Sequence, residues 1–325
     1  MATALATLMS LPVVGLAPHP TPVDELSRLR ATLGSSAPRL LMKRDDLLSF
    51  AMGGNKVRKL QAVAAEAIAA RADALITCGG IQSNHARVTA AAGAVLGLRV
   101  VLVLNGAPPA KPTANALLDR LFGAEIRYVA TREARAPLME TVAAELRVAG
   151  HRPFVVPLGA STPTGALGFA RAVTEVVAAG YRPQTIVSAT SSGGTQAGLI
   201  AGSALLGLET RVIGVSADDP AASLSRTVTQ LLEAMARQLG AKPSSLGAAA
   251  PVEVDDGWVG EAYGVPTPAS IEALELVART EGILLDPVYT AKAMASLLAR
   301  IRGGAFAPDQ TVLFWHTGGQ VANFV

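Results

Sequence analysis

Short apolar, β-rich runs recur along the chain at 74–78, 99–104, 125–130, 153–158, 185–190, 211–216 and 311–317, separated by alanine-rich amphipathic stretches. Parallel strands need a long crossover, and a helix is the crossover that buries its own apolar stripe. The alternation therefore restricts the chain to an α/β fold on mostly parallel sheets. Helical spacing runs through 57–72, 86–98, 138–150 and 164–180, several of these stretches ending at glycine. At 325 residues the chain exceeds what one core usually supports, so two domains sharing a cleft are expected. The glycine-rich turns AMGG (51–54) and GASTPTGALG (159–168) are where the chain would change domain. They bracket a smaller domain of residues 51–165, leaving 1–50 and 166–325 for the larger one. Residues 240–268 form the longest loop-like stretch.

Composition excludes several classes. Half the residues are hydrophobic, yet no apolar run reaches the roughly 18–20 residues that span a bilayer, so no membrane association is expected. The N-terminal MATALATLMSLPVVGLAPHP lacks a basic start, and prolines are expected to interrupt it before any helix matures; the expectation is a cytoplasmic protein without a secretory signal. One cysteine, Cys78, excludes an intramolecular disulfide, and four unclustered histidines give no metal spacing. A net charge of +3 from 28 basic and 25 acidic residues is too balanced to call for nucleic acid.

Three segments carry chemistry. In MKRDDLLSFAMGGNKVRKL (42–60), Gly53 and Gly54 allow a sharp turn, Asn55 can cap, and the helix opens with Lys56, Arg58 and Lys59. Cations at a helix N-terminus oppose the macrodipole, so three of them call for an anion nearby. Positive surroundings also depress a lysine pKa and yield the neutral amine that a Schiff base with an aldehyde cofactor requires. A plain glycine turn before a solvated basic helix fits the same residues. In ALITCGGIQSNHARV (74–88), a strand and two glycines lead to Ser83, Asn84 and His85 at a helix start, whose free N–H groups suit a carboxylate or phosphate. Simple N-capping by Ser83 or Asn84 fits as well. In TIVSATSSGGTQAGLIAG (185–202), Ser191, Ser192, Gly193, Gly194 and Thr195 offer N–H and hydroxyl groups to a phosphate. This is neither a Walker A loop nor a complete G-x-G-x-x-G, although Asp218 and Asp219 stand where a dinucleotide's ribose acid would, which keeps an NAD-dependent dehydrogenase in view. Two helix-start anion sites beside a basic turn suit an amino acid bound next to pyridoxal 5′-phosphate (PLP).

In this order the segments resemble the D-cysteine desulfhydrase and 1-aminocyclopropane-1-carboxylate deaminase family of PLP enzymes. The resemblance runs from TPVDELSRL (21–29) through KRDD (43–46), GGNKVRKL (53–60), GGIQSNHAR (79–87), SSGGTQAGL (191–199), YGVP (263–266) and LLDPVYTAKAM (284–294) to HTGG (316–319). It implies the tryptophan-synthase-β-like fold type II: two open, twisted, mostly parallel sheets flanked by helices, with PLP in the interdomain cleft of a homodimer and a small amino acid as substrate. By resemblance Lys56 would carry the cofactor and act as base, and Asn84 would meet the ring's phenolic oxygen. Lys59, with Ser192, Gly193, Gly194 and Thr195 and the neighbouring Asn55, would hold the phosphate. Ser83, with Asn84 and His85, would take the substrate carboxylate, and Tyr263 and Tyr289 match the family's two active-site tyrosines. The cyclopropane deaminases carry a glutamate after the DPVY tyrosine, where this chain has Thr290. A hydroxyl from Thr290 or Thr317 at the pyridine nitrogen makes a weaker electron sink, which disfavours ring opening and suits α,β-elimination from D-cysteine or from L-cysteate. Ala262 before Tyr263 and Trp315 before HTG depart from the usual pattern.

Overall fold

The computed structural model describes residues 2–325. In chain order the elements are α1 (Ala2–Ser10), β1 (Val23–Glu25), α2 (Ser27–Leu33), β2 (Arg39–Arg44), α3 (Asn55–Ala69), β3 (Ala74–Gly80), α4 (Asn84–Leu96), β4 (Arg99–Asn105), α5 (Ala114–Leu121), β5 (Glu125–Val129) and α6 (Arg135–Val148). The second half continues with β6 (Pro153–Val155), α7 (Pro163–Ala178), β7 (Thr185–Thr190), α8 (Gly194–Leu205), β8 (Arg211–Ser216), α9 (Ala221–Gln238), β9 (Glu253–Asp255), α10 (Pro268–Glu281), α11 (Thr290–Arg302) and β10 (Thr311–His316).

These strands form two sheets, one of six strands in the order β1-β2-β10-β7-β8-β9 and one of four in the order β5-β4-β3-β6. All pairings are parallel except that of the edge strand β1 with β2. Parallel strands packed on both faces need apolar residues on both, and the two-residue period sorts them. In the six-stranded sheet, Leu41, Ile186, Val212, Leu313 and Trp315 face α7 and α8, packed with Phe169 and Val173. Met42, Val187, Ile213, Val312 and Phe314 point the other way, toward α10 and α11. In the four-stranded sheet, Leu75, Val100 and Leu102 pack beneath α3 and α4, and Ile76, Cys78 and Val103 beneath α6.

Two expectations are corrected. The N-terminal segment forms α1, which seats Ala4 and Leu8 in the core shared by α7, α8 and α9; the prolines lie beyond it and do not interrupt it. Within 240–268 the chain adds β9 to the sheet edge, paired with β8, its Glu253 held by Arg211 and Arg300. No helix among the described residues is long and apolar enough to cross a membrane.

Candidate active site

The carboxyl ends of the two sheets face one another across a cleft of about 440 Å³. From the six-stranded sheet come Thr190 at the end of β7, Asp218 after β8 and Thr317 after β10; from the four-stranded sheet come Gly79 of β3, Asn105 of β4 and Gly159 beyond β6. The crevice outside the carboxyl ends of parallel strands is where α/β folds place ligands.

Lys56 reaches this cleft because of the turn before it. Ala51, Met52, Gly53 and Gly54 all have positive φ, at 48°, 65°, 71° and 100°. A Cβ on Gly53 would lie 2.6 Å from the Asp46 carbonyl oxygen, and one on Gly54 2.9 Å from that of Thr317, so the turn is closed to larger residues. Helix α3 then starts with Lys56 and Lys59 toward the cleft. Arg58, two residues on, emerges on the opposite side. Its guanidinium donates to both oxygens of Asp45, at 2.7 and 2.8 Å, and to Glu175 Oε1 at 2.6 Å. Glu175 also accepts from Lys43 Nζ at 2.6 Å, and Asp45 from Trp315 Nε1 at 2.8 Å. This corrects the expectation that three cations at the helix start share one anion: Arg58 is neutralised within the protein, and only the two lysines are left to the cleft.

Neither lysine has a carboxylate partner. Lys56 Nζ donates to Asn55 Oδ1 at 3.3 Å, and Lys59 Nζ to Ser161 Oγ at 3.1 Å and the Gly159 carbonyl at 3.4 Å. Burial, then the nearby charge of Arg87, lowers Lys56 to about 8. Arg87 thus does for Lys56 what the sequence had assigned to its helix neighbours. Lys59 is pushed well below its ordinary value, by burial and then by Lys56.

Below Lys59 the chain from Ser191 to Thr195 enters α8 through Gly193, in the left-handed conformation at φ 78°. A Cβ on Gly194 would come within 2.7 Å of Ser161 Oγ and 2.9 Å of Lys59 Nζ. Ser192 Oγ lies 2.7 Å from Ser161 Oγ, and Thr195 Oγ1 accepts from Asn55 Nδ2 at 2.8 Å. Ser161 was not singled out from sequence; its signal was the Gly/Pro/Thr-rich stretch after the 153–158 run, read as a domain turn.

Across the cleft, Ser83 caps α4, its Oγ accepting from the Ala86 N–H at 3.2 Å, which leaves the N–H groups of Asn84 and His85 at the open helix end. Asn84 Oδ1 accepts from Arg87 Nη1 at 2.7 Å and Asn115 Nδ2 at 3.0 Å, so its own N–H groups are the free edge. Thr77 gives its proton to the Val156 carbonyl at 2.7 Å and so accepts from His85 Nε2 at 2.7 Å. His85 Nδ1 is buried without a partner, and the ring is held neutral, its pKa well below the usual value through burial and then the two lysines. The phenols of Tyr263 and Tyr289 hydrogen-bond to each other, and burial raises both pKa values, so both stay protonated. Arg132 reaches from beyond β5 to form an ion pair with Asp218 and lie 5.0 Å from the Tyr263 ring centroid. Asp218 is thereby occupied, unlike a ribose acid facing open cleft.

Of the two threonines expected at a ring nitrogen, Thr317 lines the cleft. Thr290 does not: it is fully buried, donating to Asp286 Oδ1 at 2.6 Å and accepting from the Asp286 N–H at 2.7 Å. Asp286 also accepts from the Val288, Tyr289 and Thr290 N–H groups, closing the turn that presents Tyr289.

Two unpaired cleft lysines, one with a near-neutral amine, beside a glycine-hydroxyl turn at a helix N-terminus fit an aldehyde that carries a phosphate. The chain belongs to the pyridoxal-phosphate dependent enzyme family, whose model matches residues 14–318. It is a PLP-dependent lyase. Among named relatives it is 39% identical to the D-cysteine desulfhydrase of Salmonella typhi over 327 residues, covering 98% of this chain and 97% of the relative. The D-cysteine desulfhydrase of Salmonella choleraesuis (strain SC-B67) matches to the same extent. Among solved structures, an ACC deaminase homologue superposes with a TM-score of 0.91 at 34% identity, covering all of this chain and 97% of the other. The processed form of threonine deaminase isoform 2 from Solanum lycopersicum, with a TM-score of 0.70 and 18% identity over 98% of this chain and 84% of the other, shares the fold. These findings replace the dehydrogenase alternative.

Proposed function

We propose that the chain catalyses α,β-elimination of D-cysteine, with water consumed and pyruvate, ammonia and hydrogen sulfide released. The observation that carries the reading is near-full-length identity of 39% to two D-cysteine desulfhydrases. When bound, PLP supplies the electron sink that makes the α-proton of an amino acid acidic and the β-substituent expellable.

The residues divide the remaining work. Lys56 would hold the cofactor, and its Nζ, with a pKa lowered to about 8, would take the α-proton as a base near neutrality. Lys59 and the Ser192–Thr195 turn would hold the phosphate, and Asn84 would meet the ring's phenolic oxygen. Ser83 and the N–H groups opening α4 fix the substrate carboxylate, with His85 behind them as a neutral wall. Thr317, which lines the cleft, would offer the ring nitrogen a hydroxyl, which matches a leaving group as good as sulfur. Tyr289, kept protonated by burial, delivers a proton to the departing sulfur, with Tyr263 as its hydrogen-bond partner.

A second reading, elimination of sulfite from L-cysteate, is favoured by Arg135. This side chain lines the cleft, and its guanidinium donates one hydrogen bond, from Nε to the Arg132 carbonyl at 2.9 Å, which leaves Nη1 and Nη2 for a sulfonate. The test is a pyruvate-release screen over both enantiomers of cysteine, cysteate, serine and β-chloroalanine, with 1-aminocyclopropane-1-carboxylate followed as 2-oxobutyrate. D-cysteine is expected to give the highest kcat/KM. Sulfite from L-cysteate with no pyruvate from D-cysteine establishes the second reading, and α-proton exchange without any keto acid refutes elimination.

A further inference from the structure

Behind the wall formed by α4, a buried arginine and a buried aspartate take no part in the steps above. Arg87 is 1% exposed and Asp119 0%. Arg87 donates through Nη1 to Asn84 Oδ1 at 2.7 Å and Asn115 Oδ1 at 2.6 Å, and through Nη2 to the Gly53 carbonyl at 3.0 Å. Arg87 Nε and both carboxylate oxygens of Asp119 are buried without hydrogen-bond partners. Each residue is nonetheless the other's charge partner. Asn115 and Asp119 sit one turn apart on α5, so they share the face that meets Arg87. The other element packed on α5, the turn Gln320–Phe324, carries no ionisable side chain.

A guanidinium taken out of water needs a counter-charge to remain where it is. With Asp119 behind it, Arg87 fixes two things. It holds the Asn84 carboxamide with Oδ1 inward; a flipped amide would set N–H groups against Arg87 Nη1 and Asn115 Nδ2. It also clamps the carbonyl of Gly53 in a turn whose four successive positive φ values must be held from outside.

We infer that Asp119 is a positioning residue that acts through Arg87 to set the Asn84 amide and the turn before Lys56, and so determines how tightly the cofactor is held. The inference rests on the proposed contact of Asn84 with the cofactor ring. Burial, opposed by the charge of Arg87, pushes the Asp119 carboxyl up to about 7. The support is complete above that pH and fades below it, as Asp119 becomes neutral and Arg87 loses its counter-charge.

The experiment is titration of PLP into cofactor-free wild type, Asp119→Asn, Asn84→Ala and the double variant from pH 6 to 8.5, followed by cofactor absorbance and protein fluorescence, with thermal melting of each cofactor-free protein. At pH 8 both single variants are expected to bind PLP roughly tenfold more weakly, the order lost with a charge-assisted hydrogen bond. The double variant should be weaker than Asn84→Ala by clearly less than the roughly tenfold lost in Asp119→Asn alone, the remainder passing through the Gly53 turn, and the gap between wild type and Asp119→Asn should narrow toward pH 6. If Asp119→Asn yields no folded protein, Asn115→Ala, which leaves both charges in place and removes one anchor of Asn84, should show the same weakening. Wild-type binding by Asp119→Asn, or losses that multiply in the double variant, overturns the inference while leaving Asn84 its role. Wild-type binding by Asn84→Ala overturns both.

Discussion

Replacing Glu175 with glutamine keeps its shape and removes the charge at the centre of the network that anchors α3. In the folded chain Oε1 accepts from Arg58, and Oε2 accepts from Lys43 Nζ, Arg58 Nη2 and the Thr21 N–H. Burial alone would push the carboxyl up, but the hydrogen bonds and charges of Arg58 and Lys43 outweigh it and hold it at about 2, against an ordinary 4.5. At 1.36 kcal/mol per pH unit the ionised form is stabilised by about 3 kcal/mol on folding. Removal of one partner of a buried pair typically costs about 3–5 kcal/mol, so the two routes agree. With about 2 cal/mol/K of unfolding entropy per residue, a 325-residue chain should lose about 5 °C in Tm at pH 7. The pH dependence follows from the sign of the shift. A depressed carboxyl contributes stability that is complete above 4.5 and is lost as pH falls toward 2. At pH 3 the gap between wild type and Glu175→Gln should therefore shrink to roughly half its neutral value. Urea unfolding of both proteins at pH 7 and at pH 3 measures it. A gap below about 1 kcal/mol at pH 7, or one that does not narrow in acid, refutes the account of the network.

Three further outcomes are expected. Gly194→Ala should weaken PLP binding roughly ten- to a hundredfold in an equilibrium titration, because its Cβ would press on Ser161 Oγ and Lys59 Nζ. Capture of PLP by the cofactor-free chain, followed by stopped-flow absorbance, should rise with pH to a midpoint near 8, since Lys56 reacts as the neutral amine. Tyr289→Phe should lower kcat for D-cysteine by about 10²-fold or more while changing KM little, and should matter less for β-chloroalanine, whose chloride leaves without a proton; pyruvate assays with both substrates give the comparison.

The parts of this fold that were legible in the sequence are those whose information is local. β7 and β8 are found at the residues their apolar runs indicate, because a strand buried on both faces must be apolar throughout. β9 was missed because Glu-Val-Asp has no such pattern: β8 and two arginines define it as a strand. In the site, Lys56, Ser83, Asn84 and the 191–195 turn announce themselves as glycine turns that open helices. The direction of Arg58 does not, since it depends on Glu175, 117 positions away. Ser161 and Arg87 were passed over for the same reason, each acquiring its role from partners on a separate element. The Thr290 hydroxyl shows the converse error: its place beside the motif tyrosine suggested the ring, but the nearer Asp286 claims it.

The ion pair between Arg132 and Asp218 joins the rim of one sheet to the rim of the other, and its side chains are 41% and 20% exposed. The Arg58 network on the opposite side of α3 is closed to solvent. Dissolved salt weakens the first and leaves the second almost untouched. Of these two fastenings between the sheets only the exposed one yields to added salt, and the floor on which Lys56 stands rests on the other.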